Sequence, residues 1–374
     1  MTETFSDTQT AMRRAIELAT QGLGYVEPNP PVGAVLVDDD LTLLGEGYHQ
    51  KYGGPHAEIL ALQQAGPHAQ KATLFVTLEP CCHEGKTGPC TKSLIDAGIR
   101  KVVIGIEDPS PHAAGKGIDE LKSAGIEVEV GLLKEDVSQL TAAFVKRVTS
   151  GLPWVHAKWA MTLDGKIASK TGASQWISNE ASRELVHQLR GRMDAVIIGS
   201  QTAHIDNPLL TARPPGPRKP TRIILDSNAE LALDSQLVQT VDEAPVLVVA
   251  SQSAPQENVK RLQEAGIEVL KLSANSSSLR PLLKNLGQRE MTNVLVEGGG
   301  RLLGSFFDQN LVDEVHVFVA PKIVGGKNAV TPVAGIGLET IPELSQLHHL
   351  KFQNIEDNVY IHGYLRDFAS SFVN

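Results

Sequence analysis

The sequence contains few cysteines: 3 in 374 residues, all between positions 81 and 90. Three cysteines so close together cannot cross-link a domain, which excludes the disulfide-dense class of small secreted folds. A short cysteine cluster in an otherwise cysteine-free chain is typical of a metal site in a reducing compartment. We therefore predict a cytoplasmic protein that binds a metal ion within this cluster.

Long apolar segments are also missing from the sequence. No run of about 18 residues is free of charge and apolar throughout, so no membrane-spanning helix is predicted and no membrane partner is expected. The first residues have no basic stretch followed by an apolar one, so no signal peptide is expected. At 374 residues the chain exceeds the size at which one hydrophobic core keeps growing, which predicts two domains.

Positive charge is in deficit, with 34 Lys and Arg residues against 43 Asp and Glu residues and a net charge of −9. A protein that acts on DNA or RNA carries a basic surface that binds the phosphate backbone. The net charge of this chain is negative, which does not exclude a local basic patch. We expect a small-molecule substrate and no nucleic-acid partner.

Two short motifs concentrate the chemistry of the first half. His56 and Glu58 form one, and the run from Glu79 to Cys90 contains the other. One imidazole and two thiolates are a typical Zn²⁺ ligand set, and three protein ligands leave a fourth position for a water whose pKa the metal lowers. The arrangement is similar to the H-x-E…P-C-x-x-C motif of zinc-dependent base deaminases, in which the glutamate transfers protons without binding zinc. Here the second cysteine follows the first by nine positions, a longer spacing than in that motif.

The longer loop resembles that of the riboflavin-biosynthesis deaminases, as does the upstream run Asn-Pro-Pro-Val-Gly at positions 29–33. The resemblance implies that His56, Cys81 and Cys90 bind one zinc ion per chain, that Cys82 is not a ligand, and that Glu58 is catalytic. It also favours Asn29 as a substrate contact over a simple turn residue between prolines.

Other interpretations of these residues stay open at this stage. A structural zinc site would need a fourth ligand from Cys82 or His83, both awkwardly adjacent to Cys81. His83 is either a loop residue or a substrate contact. Glu58 is either catalytic or a solvated carboxylate that interacts with the N-terminus of a helix.

Strand and helix patterns alternate along both halves of the chain, which indicates layered α/β domains. In the first half we predict strands at 32–37, 72–78, 101–106 and 126–130, with helices opening near His56 and Cys90. The run Gly151-Leu152-Pro153 follows a predicted helix at 133–148. We therefore predict a domain of residues 1–148 and a second of residues 149–374. By resemblance, the first has a cytidine-deaminase-like α/β/α fold.

In the second half, Glu297 and three glycines follow a predicted strand and precede a predicted helix. Such a turn lets a phosphate approach the backbone, but it is not the G-x-G-x-x-G pattern of a Rossmann fold. Three other runs, at 158–168, 174–178 and 199–213, give the glycine-rich turn a specific interpretation. They resemble the reductase domain of the riboflavin family, which has a dihydrofolate-reductase-like fold. A C-terminal hairpin is predicted at 352–355 and 359–364.

The reductase resemblance implies two groups of binding residues. NADPH contacts are expected at Ala160, Trp176, Thr202, Asp206, Ser227, Gly299, Gly300, Arg301, Leu302, Leu303, Gly304 and Ser305. Contacts with a phosphorylated ribosyl substrate are expected at Ser174, Arg190, Leu209, Arg213 and Glu297. Arginine forks suit a phosphate, and Asp206 or Glu297 is a candidate for proton delivery.

Plainer roles compete with some of these assignments. Arg190 near a helix C-terminus can complement the helix dipole, Trp176 can belong to the core, and the glycines can pack a helix against a strand.

The chain as a whole thus resembles the bifunctional riboflavin-biosynthesis deaminase/reductases. The implied reactions are zinc-dependent hydrolytic deamination of 2,5-diamino-6-ribosylamino-4(3H)-pyrimidinone 5′-phosphate and NADPH reduction of its ribosyl group to ribityl. The implied product is 5-amino-6-ribitylamino-uracil 5′-phosphate, and a homo-oligomer, dimer or tetramer, is expected by the same resemblance. The competing hypotheses are a nucleic-acid base deaminase and a non-catalytic protein stabilised by zinc.

Overall fold

The computed structural model describes residues 3–84, 88–110, 113–272 and 278–368. The chain divides into two compact units, Met1–Gly151 and Leu152–Asn374. The predicted boundary between residues 148 and 149 falls in the last turn of a helix of the first unit, which ends at Ser150. Gly151 follows it with a φ of 70°, a conformation that glycine adopts without strain.

The described part of the first unit contains five helices and five strands. The helices are α1 (Thr8–Thr20), α2 (Ala57–Ala65), α3 (Cys90–Asp96), α4 (Lys116–Ser123) and α5 (Lys134–Ser150). The strands are β1 (Gly33–Val37), β2 (Leu43–Tyr48), β3 (Thr73–Leu78), β4 (Lys101–Ile106) and β5 (Glu127–Val130). A short 3₁₀ turn, Gly66–Ala69, follows α2.

The five strands form one sheet in the order β2-β1-β3-β4-β5, with β3, β4 and β5 parallel. The alternating residues of β1 belong to two different cores. Ala34 and Leu36 pack with residues of α2, α3 and α4, whereas Val35 and Val37 pack with residues of α1. Both faces of the sheet are therefore covered, which explains why β1 and β3 are buried along their whole length. The predicted α/β/α class of this unit is confirmed.

The second unit contains nine strands and six helices within its described residues. The strands are β6 (Trp154–Thr162), β7 (Ala195–Gly199), β8 (Thr221–Leu225), β9 (Val246–Ser251), β10 (Glu268–Leu272), β11 (Asn293–Glu297), β12 (Glu314–Ala320), β13 (His348–Ile355) and β14 (Asn358–Tyr364). The helices are α6 (Glu180–Arg190), α7 (Ser200–Asp206), α8 (Gln236–Gln239), α9 (Gln256–Glu264), α10 (Arg280–Gln288) and α11 (Gly300–Asp308). The short helices α7 and α8 are absent from the sequence-based prediction.

The nine strands form a second sheet in the order β10-β9-β8-β7-β11-β6-β12-β14-β13. The first seven of these strands run parallel. The strands β13 and β14 form the predicted C-terminal hairpin, in which β14 pairs antiparallel to β12 and β13 pairs antiparallel to β14. The predicted α/β fold of this half is confirmed. Because β8, β7, β11 and β6 are parallel neighbours, the segments that follow them emerge at one edge of the sheet. Ligands of open α/β sheets bind at such carboxyl edges.

Among the described residues, no helix is both long enough and apolar enough to cross a membrane.

Candidate active sites

The first site lies where two helices begin beside the end of a central strand. His56 is the N-cap of α2 and Glu58 lies in its first turn. Cys81 follows β3, and Cys90 is the first residue of α3. The unbonded N–H groups of a helix start favour negative charge, and the backbone N–H of Cys90 donates to the Cys81 sulfur at 3.4 Å.

The three predicted zinc ligands converge. The His56 Nδ1 atom lies 3.2 Å from the Cys90 sulfur and 3.4 Å from the Cys81 sulfur. All three donor atoms lie within 4.8 Å of one another. Hydrogen bonds from Cys90 and from His56 lower the pKa of Cys81 to about 4, which favours the thiolate, the form that binds metals. The donor set and its spacing fit Zn²⁺ with three protein ligands.

A fourth protein ligand is not part of this group in the described chain, since neither Cys82 nor His83 belongs to it. The described residues of this loop are 79–84 and 88–90, and the predicted run also includes residues 85–87, which lie outside them. The geometry of the described part favours a site with an open coordination position over a closed structural one.

Glu58 is not a solvated carboxylate. Its side chain is buried, with 3% exposed, and its Oε2 atom has no hydrogen-bond partner among the described residues. Burial raises the pKa of Glu58, and the negative charge of Cys81 adds to the effect. A buried carboxyl group with a raised pKa and an unpaired oxygen beside the metal ligands is suited to accept and return a proton.

A cavity of about 310 Å³ opens over these groups. His56, Glu58, Cys81, Asn29, His49 and His83 contribute to its wall. The Asn29 Nδ2 atom lies 3.3 Å from His49 Nε2, and His49 Nδ1 lies 3.0 Å from the carbonyl oxygen of Pro55. Burial lowers the pKa of His49 and keeps its ring neutral. The imidazole then donates to Pro55 and accepts from Asn29, which leaves the Asn29 Oδ1 atom for a ligand.

His49 and Glu79 are two residues of this region that the sequence did not single out. Glu79, which is buried with 4% exposed, directly precedes the zinc loop. Its carboxylate accepts four backbone N–H bonds, from Asp108, Gly115, Gly117 and Ile118. It therefore ties the start of the zinc loop to the start of α4. A glutamate next to the proline and cysteine of the loop was the only sequence signal for it.

The second site lies at the carboxyl edge of the nine-stranded sheet. Glu297, the last residue of β11, accepts hydrogen bonds from Arg190 Nε at 2.6 Å and Arg190 Nη2 at 2.9 Å. The Lys158 Nζ atom lies 3.6 Å from the same carboxylate, because Lys158 and Glu297 are register partners on β6 and β11. Burial opposes ionisation of Glu297, but Arg190 and then Lys158 outweigh it and bring its pKa to about 2.

This cluster changes the expected roles of its members. A carboxylate with a pKa of about 2 is a poor proton donor near neutral pH, so Glu297 does not suit proton delivery. Arg190 does end α6, yet its guanidinium is engaged with Glu297 rather than with the helix dipole alone. Lys158 is a buried cation that the sequence did not single out, and burial lowers its pKa. Its partner Glu297 lies 139 positions away on another strand, so no local pattern pairs the two residues.

Most of the predicted cofactor residues meet at this same edge. Ala160 lies on β6, Ser227 follows β8, and Thr202 and Asp206 lie on α7, which follows β7. Gly299 is the N-cap of α11, the helix that contains Gly300 to Ser305. A Cβ atom built on Gly299 would lie 3.9 Å from the Thr202 hydroxyl, so the starts of α7 and α11 are adjacent. The structure thus gathers these residues where a dinucleotide can lie along strand ends.

The glycines of α11 have two different roles. A Cβ atom on Gly300 would lie 2.4 Å from the Thr331 carbonyl oxygen, and one on Gly304 would lie 2.1 Å from that of Ala334. These two glycines permit close packing against residues 331–335. Gly299 has no such neighbour, which leaves its backbone accessible to a ligand.

The remaining residues predicted to bind NADPH or substrate lie near the Glu297 cluster or on exposed segments. The Ser174 hydroxyl donates to Asp206 Oδ1 at 3.2 Å. Trp176 is 63% exposed and does not belong to the core; the Arg183 guanidinium lies 4.6 Å from its ring centre. The Leu209 carbonyl accepts from Arg222, and Arg213 donates to the Thr211 hydroxyl. Burial and the charge of Arg190 lower the pKa of Arg213, so the two guanidinium groups lie close enough to interact.

Comparison with known proteins gives matches over both units. Residues 5–106 match the model of the cytidine and deoxycytidylate deaminase zinc-binding region, and residues 153–359 match the model of the RibD C-terminal domain. The riboflavin biosynthesis protein RibD of Actinobacillus pleuropneumoniae is 43% identical over 338 residues, covering 90% of this chain and 89% of the relative. That of Aquifex aeolicus is 41% identical, covering 94% and 96%.

Solved structures agree with these matches. Acinetobacter baumannii RibD aligns with a TM-score of 0.83 and 36% identity, covering 95% of this chain and 98% of that one. The deaminase/reductase of Thermotoga maritima aligns with a TM-score of 0.81 and 38% identity over the same shares. The matched ranges include His56, Glu58, Cys81, Lys158 and Glu297. This chain belongs to the RibD family of riboflavin biosynthesis proteins.

Proposed function

We propose that the unit Met1–Gly151 carries the zinc-dependent deaminase and that the unit Leu152–Asn374 carries the NADPH-dependent reductase. The chain is a bifunctional enzyme of riboflavin biosynthesis, as its relatives are. The observation that carries the assignment is the convergence of His56, Cys81 and Cys90 beside the buried, unpaired oxygen of Glu58.

The substrates follow from the Thermotoga maritima relative, which is named a diaminohydroxyphosphoribosylaminopyrimidine deaminase and a 5-amino-6-(5-phosphoribosylamino)uracil reductase. We assign the same two substrates to this chain, in that order. The first reaction replaces the 2-amino group of the pyrimidine with oxygen and releases ammonia. The second reduces the ribosyl group to ribityl.

In the first unit, Zn²⁺ held by His56, Cys81 and Cys90 would supply an activated water for the hydrolysis. Glu58 would accept the first proton of the water at its unpaired Oε2 and donate it to a ring nitrogen. It would then carry the second proton, from the added hydroxyl, to the amine, which leaves as ammonia while the C=O bond forms. Asn29, oriented through His49, presents its Oδ1 atom to a donor on the ring. The 310 Å³ cavity gives the pyrimidine ring a place beside these groups.

In the second unit, bound NADPH would supply the hydride. The open backbone at Gly299 and the hydroxyl of Thr202 lie together at the strand ends and are suited to bind it. Arg190 is engaged with Glu297, whereas Arg213 forms no ion pair with a carboxylate among the described residues, which makes Arg213 the better candidate of the two for the substrate phosphate. Lys158 is the buried group that can hold or release a proton, since burial brings its pKa down from the usual range.

We further infer that the enzyme works in the cytoplasm as a homo-oligomer, a dimer or tetramer, on a small phosphorylated substrate and not on nucleic acid. The three free cysteines support the compartment, and the net charge of −9 supports the choice of substrate class. The homo-oligomer is inferred from the family resemblance alone.

The test is a coupled assay with the full chain, the diaminopyrimidine ribosyl phosphate and NADPH. We expect ammonia release and NADPH oxidation, both lost when zinc is removed and both restored by Zn²⁺. Zinc-free enzyme given the uracil intermediate should still oxidise NADPH. Failure to use the uracil intermediate would remove the reductase assignment, and ammonia release unaffected by zinc removal would remove the zinc deaminase.

A further inference from the structure

A second cluster of possible metal ligands lies on the nine-stranded sheet. It consists of His156 on β6, Glu314 and His316 on β12, and His362 on β14. Glu314 is the register partner of His156, and His316 is the register partner of His362. Register partners, and residues two apart on a strand, project from the same face, so the four side chains face one another.

The donor atoms of three residues of this cluster lie close together. His156 Nδ1 lies 3.2 Å from His316 Nε2 and 3.2 Å from Glu314 Oε2, and His316 Nε2 lies 3.3 Å from Glu314 Oε1. Ligand atoms about 2.0–2.1 Å from a tetrahedral Zn²⁺ are separated by about 3.3–3.4 Å. The three separations are close to this spacing, and the two that involve Glu314 run to its different oxygens, Oε2 and Oε1.

The same three separations are long for charge-assisted hydrogen bonds, which measure about 2.7–2.9 Å. The carboxylate also makes bonds of ordinary length: Trp154 Nε1 donates to Glu314 Oε2 at 2.8 Å, and His362 Nε2 donates to Glu314 Oε1 at 2.6 Å. The separations among the three residues are longer than the hydrogen bonds around them, as expected of ligands arranged around an ion.

The other ring nitrogens of both histidines have partners of their own. His156 Nε2 lies 3.2 Å from the acceptor Asn293 Oδ1, so it carries the proton and leaves Nδ1 with a lone pair. His316 Nδ1 lies 2.7 Å from the Tyr360 hydroxyl. Metal-binding histidines are commonly fixed in this way by a hydrogen bond from the second nitrogen.

Burial favours a neutralising proton or metal ion at this place. His156, Glu314 and His316 are buried, with 7%, 8% and 3% exposed. With His316 Nδ1 donating to Tyr360, the facing imidazole lone pairs and the carboxylate repel unless a proton or a metal ion lies between them. The separations among the three residues favour the metal ion.

The geometry points to a second metal site, in which His156, Glu314 and His316 bind a divalent transition-metal ion of the Zn²⁺ class. Two imidazoles and one carboxylate are an established ligand set for such ions. The site joins β6 to β12 inside the sheet, so its role is structural: it stabilises the second unit. It is independent of the zinc site of the first unit and of the function proposed for it.

The first test counts metal ions. Full-length protein stripped by a chelator and titrated with Zn²⁺ should bind two equivalents per chain, and His316→Gln should bind one. The matched control is His204→Gln, which changes an exposed histidine of the same unit and should keep two. A wild-type stoichiometry of one, or two equivalents retained by His316→Gln, overturns the proposal.

A second measurement covers the case in which His316→Gln fails to fold. Cys81→Ser/Cys90→Ser removes both thiolates of the first site and leaves the second site intact. Titrated with Co²⁺, this variant should develop the visible absorption of tetrahedral cobalt without a thiolate charge-transfer band, and its thermal midpoint should rise with Zn²⁺. If the folded variant shows neither signal, the proposal of a second site is overturned. Loss of the charge-transfer band alone is the expected result, because that band belongs to the thiolates of the first site.

Discussion

The guanidinium of Arg190 and the carboxylate of Glu297, 107 positions apart in the chain, form a two-point ion pair with bonds of 2.6 and 2.9 Å. Lys158 adds a second cation at 3.6 Å. Glu297→Gln would leave two buried cations without their counter-charge. Breaking a buried pair in this way costs about 3–5 kcal/mol, so we expect the second unit to lose about 3 kcal/mol of unfolding free energy. The three tryptophans, Trp154, Trp159 and Trp176, all lie in this unit, so their fluorescence during urea unfolding reports on it alone.

The same pair predicts an acid dependence of stability. The pKa of Glu297 is about 2 in the folded chain against an ordinary 4.5. A lowered pKa stabilises the fold above pH 4.5, and this contribution is lost as pH falls from 4.5 towards 2. We expect tryptophan-detected stability to fall in this window for the wild type and to fall less for Glu297→Gln. Parallel curves for the two proteins would contradict the assignment of the ion pair.

The contact between Asn29 and His49 predicts a loss of substrate binding. Removing His49 frees the Asn29 amide to rotate away from the orientation that presents its oxygen to the cavity. We expect Asn29→Ala and His49→Ala each to raise the KM for deamination about tenfold, equivalent to ~1.4 kcal/mol. Steady-state rates of ammonia release at varied substrate concentration measure the KM of each variant.

A double variant distinguishes positioning from general damage. Since both residues act through one amide oxygen, Asn29→Ala/His49→Ala should raise KM no further than Asn29→Ala alone. His68→Ala, at an exposed histidine of the same unit, is the matched control and should leave KM unchanged. Additive effects in the double variant would mean that His49 does not act through Asn29.

The four backbone bonds to Glu79 predict that this residue holds the zinc loop in place. Glu79→Gln replaces one acceptor oxygen with a donor, so at least one buried N–H loses its partner, at about 1–3 kcal/mol. We expect about 2 kcal/mol of destabilisation of the first unit, seen by circular dichroism, and faster zinc loss to a chelator. Glu84→Gln, at an exposed position in the same loop, should change neither. Equal zinc loss in the two variants would contradict this role.

The zinc site was predictable because its residues have short, fixed spacings. His56 and Glu58 lie in one helical turn, and Cys81 and Cys90 in one loop, so the local sequence alone brings each pair together. The Glu297 cluster was not predictable in the same way. It depends on β11 lying between β7 and β6 in the sheet, an order that no local pattern encodes.

A similar distinction applies to the fold. The long buried strands and amphipathic helices stand out in the sequence because their apolar period is strong. The short helices α7 and α8, of seven and four residues, have too few turns to produce such a period. The histidine cluster of β6, β12 and β14 was not predicted either, because each histidine alone resembles an ordinary core or surface residue.

The most direct measurement separates the two activities with Glu58→Gln in the full chain. This variant keeps the size and burial of the side chain but cannot accept a proton from water. We predict zinc content equal to wild type, no ammonia release from the diaminopyrimidine, and undiminished NADPH oxidation with the uracil intermediate. A folded, zinc-loaded Glu58→Gln protein that still releases ammonia at the wild-type rate, or that has lost NADPH oxidation as well, would contradict the account.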